Sequence, residues 1–291
     1  MRERQLGSCG PRVGAVGLGG MPLSIRGRPI ESQAIRTIRA ALEEGVTFID
    51  TADVYCLDDS DLGHNERLIA KALSNWPSRV IVATKGGMRR PGGRWVRDAR
   101  PERIIAACEH SLRALRVEAI DLYQLHVPDP GVVPYSDSVG ALARLHEQGK
   151  IQFVGLSNVT VEQIKVARDI VPIASVQNRW NLYDRSPERN GVLAACERFG
   201  ISFLPYSPFG GVAGAQKIGE THALVDVARN LGISPHRAIL AWMLAKSPMV
   251  IAIPGARREA TIRDSAAAES VDLTLADMAA IEAAFLDEVP R

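Results

Sequence analysis

The chain has 291 residues, of which 46% are hydrophobic, 23% charged and 5% aromatic, and carries a formal net charge of +2. That apolar fraction over that length supports a sizeable core and excludes a disordered or fibrous chain. The near-neutral balance, with arginines grouped only in short pairs such as Arg89 with Arg90 and Arg257 with Arg258, argues against nucleic acid as the main partner. Cys9, Cys56, Cys108 and Cys196 are too scattered to close a zinc site or a redox dithiol, so neither a metal nor a disulfide is expected. The charged leader Met1 to Gln5 and the lack of a membrane-spanning run point to a reduced, soluble, cytoplasmic protein.

In chain order, the segment Arg4 to Pro11, with Gly7 and Gly10, reads as a small hairpin able to plug a barrel floor. Eight short apolar runs follow: Val13 to Gly19, Thr47 to Ala52, Val80 to Lys85, Ile120 to His126, Phe153 to Asn158, Ser175 to Asn178, Ile201 to Ser207 and Val250 to Gly255. Segments with helical spacing separate them, for example Ile35, Ile38, Leu42 and Ile104, Cys108, Leu112, Leu115. Helix starts are signalled by Pro101 with Glu102, by Ser234 before Pro235, and by Thr274 with Asp277; Gly45, Gly149, Gly200 and Gly232 mark helix ends. Helices are also expected over Glu259 to Ala268 and Thr274 to Leu286, beyond the eighth strand.

Strand and helix alternating eight times, with strands apolar on both faces, predicts an α/β fold with a parallel sheet covered by helices. Eight units close most economically into a (β/α)8 TIM barrel, here with an N-terminal hairpin and extra C-terminal helices; a doubly wound open sheet is the competitor. No Pro- or Ser-rich linker divides the chain, which predicts one domain over 1–291.

In such a barrel the reacting groups gather where strands end at their C-terminal edge. The polar residues at those edges are Asp50, Lys85, His126, Ser157, Asn158, Gln177, Tyr206 and Ser207, with Tyr55 just beyond the second strand. Singly each is an ordinary strand-end or core residue, but together an acid, an amine, a phenol and an imidazole describe a proton-transfer site. A free phenol holds its proton to about pH 10. Lys85 is expected to lower that value, Asp50 to orient the lysine, and His126 to donate a hydrogen bond to a substrate oxygen.

The segments Asp50-Thr51-Ala52-Asp53-Val54-Tyr55, Ala83-Thr84-Lys85-Gly86 and Asp121-Leu122-Tyr123-Gln124-Leu125-His126 resemble the catalytic tetrad motifs of the aldo/keto reductases. Gly17-Leu18-Gly19-Gly20-Met21, Gly155-Leu156-Ser157-Asn158 and Gln177-Asn178 extend the similarity, which covers nearly the whole chain as far as Ile253-Pro254-Gly255-Ala256-Arg257. The resemblance implies reduction of a small aldehyde or ketone, with Tyr55 as proton donor assisted by Lys85, Asp50 and His126. It also implies an extended NADPH lying across the barrel mouth without a G-x-G-x-x-G fingerprint, and none follows a strand here.

By family position, Tyr206 would stack on the nicotinamide and Ser157, Asn158 and Gln177 would hold its carboxamide. Gly20 and Met21 would also bind the dinucleotide, and Ser207, Phe209, Gly210 and Gly211 would lie along the pyrophosphate. The adenosine end departs from the pattern of many relatives: Ile-Pro-Lys-Ser becomes Ile253-Pro254-Gly255-Ala256, and a Glu-Asn pair becomes Asp264-Ser265. Gly255, Arg257, Asp264 and Ser265 are the positions implied there, and Arg257 with Arg258 would clamp a 2′-phosphate, favouring NADPH over NADH.

The run Gly63 to Ile69 is similar to a bacterial branch whose members act on pyridoxal or other small carbonyls. The loop Gly86 to Arg100 is expected to cover the substrate, with Trp95 as an apolar wall and one of its arginines meeting an anionic group. Two other readings compete: a Schiff-base aldolase using Lys85, and a nicotinamide-binding regulatory protein on the same barrel. The physiological carbonyl, the preferred direction and the oligomeric state are not encoded in these motifs.

Overall fold

The computed structural model describes residues 2–286. An antiparallel hairpin, β1 (Glu3–Gln5) and β2 (Arg12–Gly14), precedes a curled parallel sheet. Its strands are β3 (Leu18–Gly19), β4 (Phe48–Asp50), β5 (Ile81–Gly86), β8 (Ile120–Leu125), β9 (Ile151–Ser157), β10 (Ile173–Gln177) and β11 (Ser202–Phe203), neighbours in that order. A second short hairpin, β6 (Met88–Arg89) with β7 (Val96–Arg97), lies in the loop after β5. The segment 250–255 closes the sheet, bridging Val250 to Phe203 on one side and Ala252 and Gly255 to Val16 and Gly19 on the other, all parallel. The closed cylinder of eight strand segments is the expected barrel.

Strand periodicity decides what faces inward. In β4 Phe48 and Asp50 point into the cylinder and Ile49 out, and in β5 Ile81, Ala83 and Lys85 point in while Val82 points out. The outward residues Ile49, Val82, Tyr123, Val154, Val176 and Phe203 pack beneath helices α1 (Glu31–Glu43), α2 (His64–Leu73), α3 (Pro101–Leu115), α4 (Tyr135–Glu147) and their successors through the apolar faces those helices present. The inward apolar layer is Phe48, Ile81, Ala83, Leu122, Ala174, Leu204, Ile251 and Ile253, and it receives Leu6 and Val13 of the first hairpin as the floor plug. Above this layer the inward positions turn polar. The chain thus builds a greasy base and a polar mouth from one alternation.

The local signals hold in detail. Ser234 accepts from the Arg237 backbone N–H at a helix start, and Thr274 and Asp277 cap each other reciprocally. Several expected strands are shorter than their apolar runs; Thr47–Ala52, for example, is a strand only over Phe48–Asp50. Val13–Gly19 splits, because Val13 and Gly14 belong to the first hairpin, Leu18–Gly19 pairs with β4, and Val16 between them joins the barrel through its bridge to Ala252. The runs ending at Ser207 and Gly255 contain Pro205 and Pro254, which lack the N–H a ladder needs, so they join the sheet through a few residues and bridges. Leu6 is fully buried in the plug. Truncating it to alanine should cost about 2–5 kcal/mol of stability, read as a lower urea midpoint with an unchanged slope.

Candidate active site

The polar mouth is built on neighbouring strands. Asp50 ends β4, Lys85 is the penultimate residue of β5, Gln124 lies inward on β8 opposite Lys85 in register, and Gln177 ends β10. Lys85 is wholly buried and its ammonium has three protons to place. It donates to Asp50 Oδ2 at 2.6 Å, to the Thr51 carbonyl at 2.8 Å and to Tyr55 Oη at 3.1 Å. The other oxygen of Asp50 accepts from Gln177 Nε2 at 2.8 Å and from Gln124 Nε2 at 3.2 Å. The ion pair is therefore satisfied on both sides, the condition under which a buried pair is tolerated. Gly155 permits this arrangement, since a Cβ there would stand 2.7 Å from Gln124 Cγ and 2.3 Å from Ser175 Oγ.

Tyr55 is placed by the loop that leaves β4. Asp53 anchors that loop, ion-pairing with Arg103 of α3 at 3.1 Å while its carbonyl accepts from Gly63 N–H at 2.8 Å. Asn65 of α2 accepts from the Thr51 hydroxyl at 2.6 Å and donates to the Gly20 carbonyl at 2.9 Å, tying the loop to the turn after β3. Tyr55, His126 and Trp95 form a triangle of edge-to-face rings with centroids 6.1–6.4 Å apart. All three line a cleft of about 1100 Å³ that crosses the barrel mouth.

The electrostatics correct one expectation. Burial drives the Tyr55 phenol above its ordinary value, and the opposing pull of the Lys85 charge does not offset it. Lys85 thus limits the rise in place of producing a net acidification. For Lys85 itself, burial works against the charge, but Asp50 and then Tyr55 more than reverse it, so the amine stays protonated. Burial, followed by the Lys85 charge, pushes His126 down to about 3, and its buried Nδ1 has no hydrogen-bond partner among the described residues.

Of the dinucleotide positions inferred from the motifs, Met21, Ser157, Asn158, Gln177, Tyr206, Ser207, Phe209, Gly211, Gly255 and Arg257 line this cleft, as do Asp50 and Trp95. Asn158 accepts from Tyr206 Oη at 2.8 Å and its amide nitrogen lies 3.1 Å from Ser157 Oγ, joining three of them. Gln177 reaches the cleft with its amide nitrogen engaged by Asp50, so it serves the ion pair as well. Lys85 lies behind Asp50 and is absent from the wall. Four expected positions are not brought to the wall. Gly20 packs against Asn65, where a Cβ would stand 2.3 Å from Oδ1; Gly210 packs against Tyr183. Asp264 is held by Arg237 and by Ser234 at 2.5 Å, and Ser265 is buried.

Gln124 is the residue that the motifs contained but did not single out. Its position two before His126 on the same strand face was the signal. Arg258, which the motifs pair with Arg257, also lines the cleft, as do Arg97, Thr261, Gln216 and His236, which no motif singles out.

Comparison with known proteins agrees with this architecture. Residues 15–285 match the model of the aldo/keto reductase family. An uncharacterised oxidoreductase of Schizosaccharomyces pombe is 35% identical over 268 residues, covering 90% of this chain and 83% of that one. A glycerol dehydrogenase from Gluconobacter oxydans superposes with a TM-score of 0.85 at 30% identity over 99% of this chain and 96% of its own. The fold is shared as well by an aldo/keto reductase from Klebsiella pneumoniae solved with NADP and acetate, at 24% identity and a TM-score of 0.83 over 100% of this chain and 97% of that one. The chain is a member of the aldo/keto reductase family, a family of oxidoreductases. Among its described residues no helix is long and apolar enough to cross a membrane.

Two outcomes follow from the geometry. Lys85→Met strands a buried carboxylate and should cost about 3–5 kcal/mol; the double variant with Asp50→Asn should cost less than the sum of the single changes in urea unfolding. In the unfolded chain His126 takes up a proton near pH 6.5, whereas the folded protein refuses it until about 3. Stability should therefore fall as the pH drops from 6.5 towards 3, and His126→Gln should flatten that slope.

Proposed function

We propose that this protein is an NADPH-dependent carbonyl reductase in which Tyr55 delivers a proton to the oxygen of an aldehyde or ketone. The observation that carries the reading is the Lys85 ammonium. Its protons are spent on Asp50, Thr51 and the Tyr55 oxygen, which leaves the phenol's own O–H to donate into the cleft that Tyr55 lines.

The cleft suits an extended dinucleotide chemically. One end carries the Tyr206 ring beside the Asn158 and Gln177 amides, the middle carries Gly211, where a Cβ would meet nothing within 4 Å, and the far end carries Arg257 and Arg258. An aromatic face with amides fits nicotinamide, an open glycine backbone fits pyrophosphate, and paired guanidinium groups at the head of the helix Glu259–Ala266 fit a 2′-phosphate. When bound there, the reduced dinucleotide supplies a hydride to the carbonyl carbon.

The chain's own residues handle the other half of the reaction. Because burial keeps the phenol protonated near neutrality, Tyr55 holds the proton that the developing alkoxide requires. As that proton leaves, the adjacent ammonium stabilises the phenolate. His126, neutral because of its burial, keeps one N–H to donate to the substrate oxygen without contributing a charge. Trp95, 45% exposed, walls the substrate side and limits water. In the alcohol-oxidising direction Tyr55 is the base. Imine formation at Lys85 is disfavoured, since its nitrogen is protonated and donates to three acceptors.

Tyr55→Phe should reduce turnover by roughly 10²- to 10⁴-fold while retaining NADPH binding. The assay is loss of NADPH absorbance against a panel of aldehydes, ketones and quinones, with dinucleotide binding followed separately by calorimetry. Undiminished turnover in that variant, or no oxidation of NADPH by the unmodified protein with any carbonyl, contradicts the reading.

A further inference from the structure

The loop between β5 and α3 carries Arg89, Arg90, Arg94, Arg97 and Arg100, and the structure gives them different tasks. Arg100 is held in a two-point pair with Asp98 at 2.7 and 2.8 Å. Arg90 is buried and lies beneath Trp95, its Cζ 3.9 Å from the ring centroid, while Nη2 donates to the Cys56 and Leu57 carbonyls at 3.2 and 3.3 Å. That clamp joins the substrate-covering hairpin to the chain directly after Tyr55. Arg89 and Arg94 do not line the cleft. Arg97, on β7 opposite Met88, does, and among the described residues its guanidinium has no hydrogen-bond or ion-pair partner.

The wall offers this charge no compensation. Among the described residues Asp50 is the single carboxylate lining the cleft, and it is spent on Lys85 and two glutamines. Asp98, next to Arg97 in sequence, is taken by Arg100. At the opposite end Arg257 already donates to the Pro22 and Arg26 carbonyls, so the unpartnered Arg97 is the charge left on the Tyr55, His126 and Trp95 side. An uncompensated guanidinium at the edge of a partly apolar cleft attracts anions and matches carboxylate or phosphate through paired N–H donors.

We infer that the preferred substrates are carbonyl compounds bearing an anionic group, carboxylate or phosphate, and that Arg97 receives that group while the carbonyl lies at Tyr55. The inference rests on the carbonyl-reduction reading above. Arg90 acts through Trp95 as a positioning residue, because its stacking fixes the hairpin from which Arg97 projects.

The test compares matched pairs on the NADPH-loaded protein: para-carboxybenzaldehyde against benzaldehyde, and glyceraldehyde phosphate against glyceraldehyde. In Arg97→Met the ratio of kcat/KM for the charged over the uncharged member should fall by about tenfold or more, mainly through KM. Arg97→Lys should restore part of it, since the charge returns without the fork. A loss confined to one pair identifies the anion as carboxylate or as phosphate. An unchanged ratio in both pairs overturns the inference even if every aldehyde is reduced. If no aldehyde is reduced, the carbonyl reading fails, and benzoate binding by calorimetry decides the anion site. Binding about tenfold weaker in Arg97→Met supports it, whereas equal binding, or none to the unmodified protein, overturns it.

Discussion

The organisation of the mouth depends on one interaction, the buried pair between Lys85 and Asp50. Two opposite charges removed from water are tolerated only if every remaining donor and acceptor is met, and each element around the pair serves that demand. The loop after β4 supplies the Thr51 carbonyl and the Tyr55 oxygen, β8 and β10 supply two glutamine amides, and Gly155 on β9 leaves the room. The proposed proton donor is therefore a member of a hydrogen-bond closure that the barrel must complete to bury its lysine. Chemistry and folding place the same requirement on these positions.

Burial governs the character of each group. Burial raises the phenol, holds the imidazole neutral and is offset for the amine by Asp50 and then by Tyr55. One environment thus yields a proton-bearing phenol, a fixed cation and an uncharged donor side by side. The difference among them comes from partners: Lys85 has an anion at 2.6 Å, whereas His126 has a cation in its vicinity and an Nδ1 without a partner among the described residues.

Much of this was legible from residue order. The apolar runs and their glycine and proline punctuation located all eight barrel strands, since strand alternation and helix capping are local effects. The two-residue period also carries Asp50 and Lys85 to the inside, because each follows an inward apolar residue, Phe48 or Ala83, by two, whereas Gln177 follows the buried Ser175. Strand limits were less legible where Pro205 and Pro254 interrupt the ladder. The β6–β7 hairpin was hidden, as two-residue strands among arginines and glycines have neither apolar run nor period. Asp264 and Ser265 are the sixth and seventh residues of the helix Glu259–Ala266, and only its packing, with Asp264 held by Ser234 and Arg237 and Ser265 buried, turns them from the cleft.

By itself, the order of residues determined the alternation of strand and helix, the inward set and the motifs of the mouth, because those follow from spacing along the chain. Tertiary structure decided the direction of the Tyr55 shift, the double duty of Gln177 and which arginine of the covering loop meets the cleft unpaired. Desolvation and charge pairing depend on distances between residues far apart in sequence, and those distances exist only once the cylinder has closed.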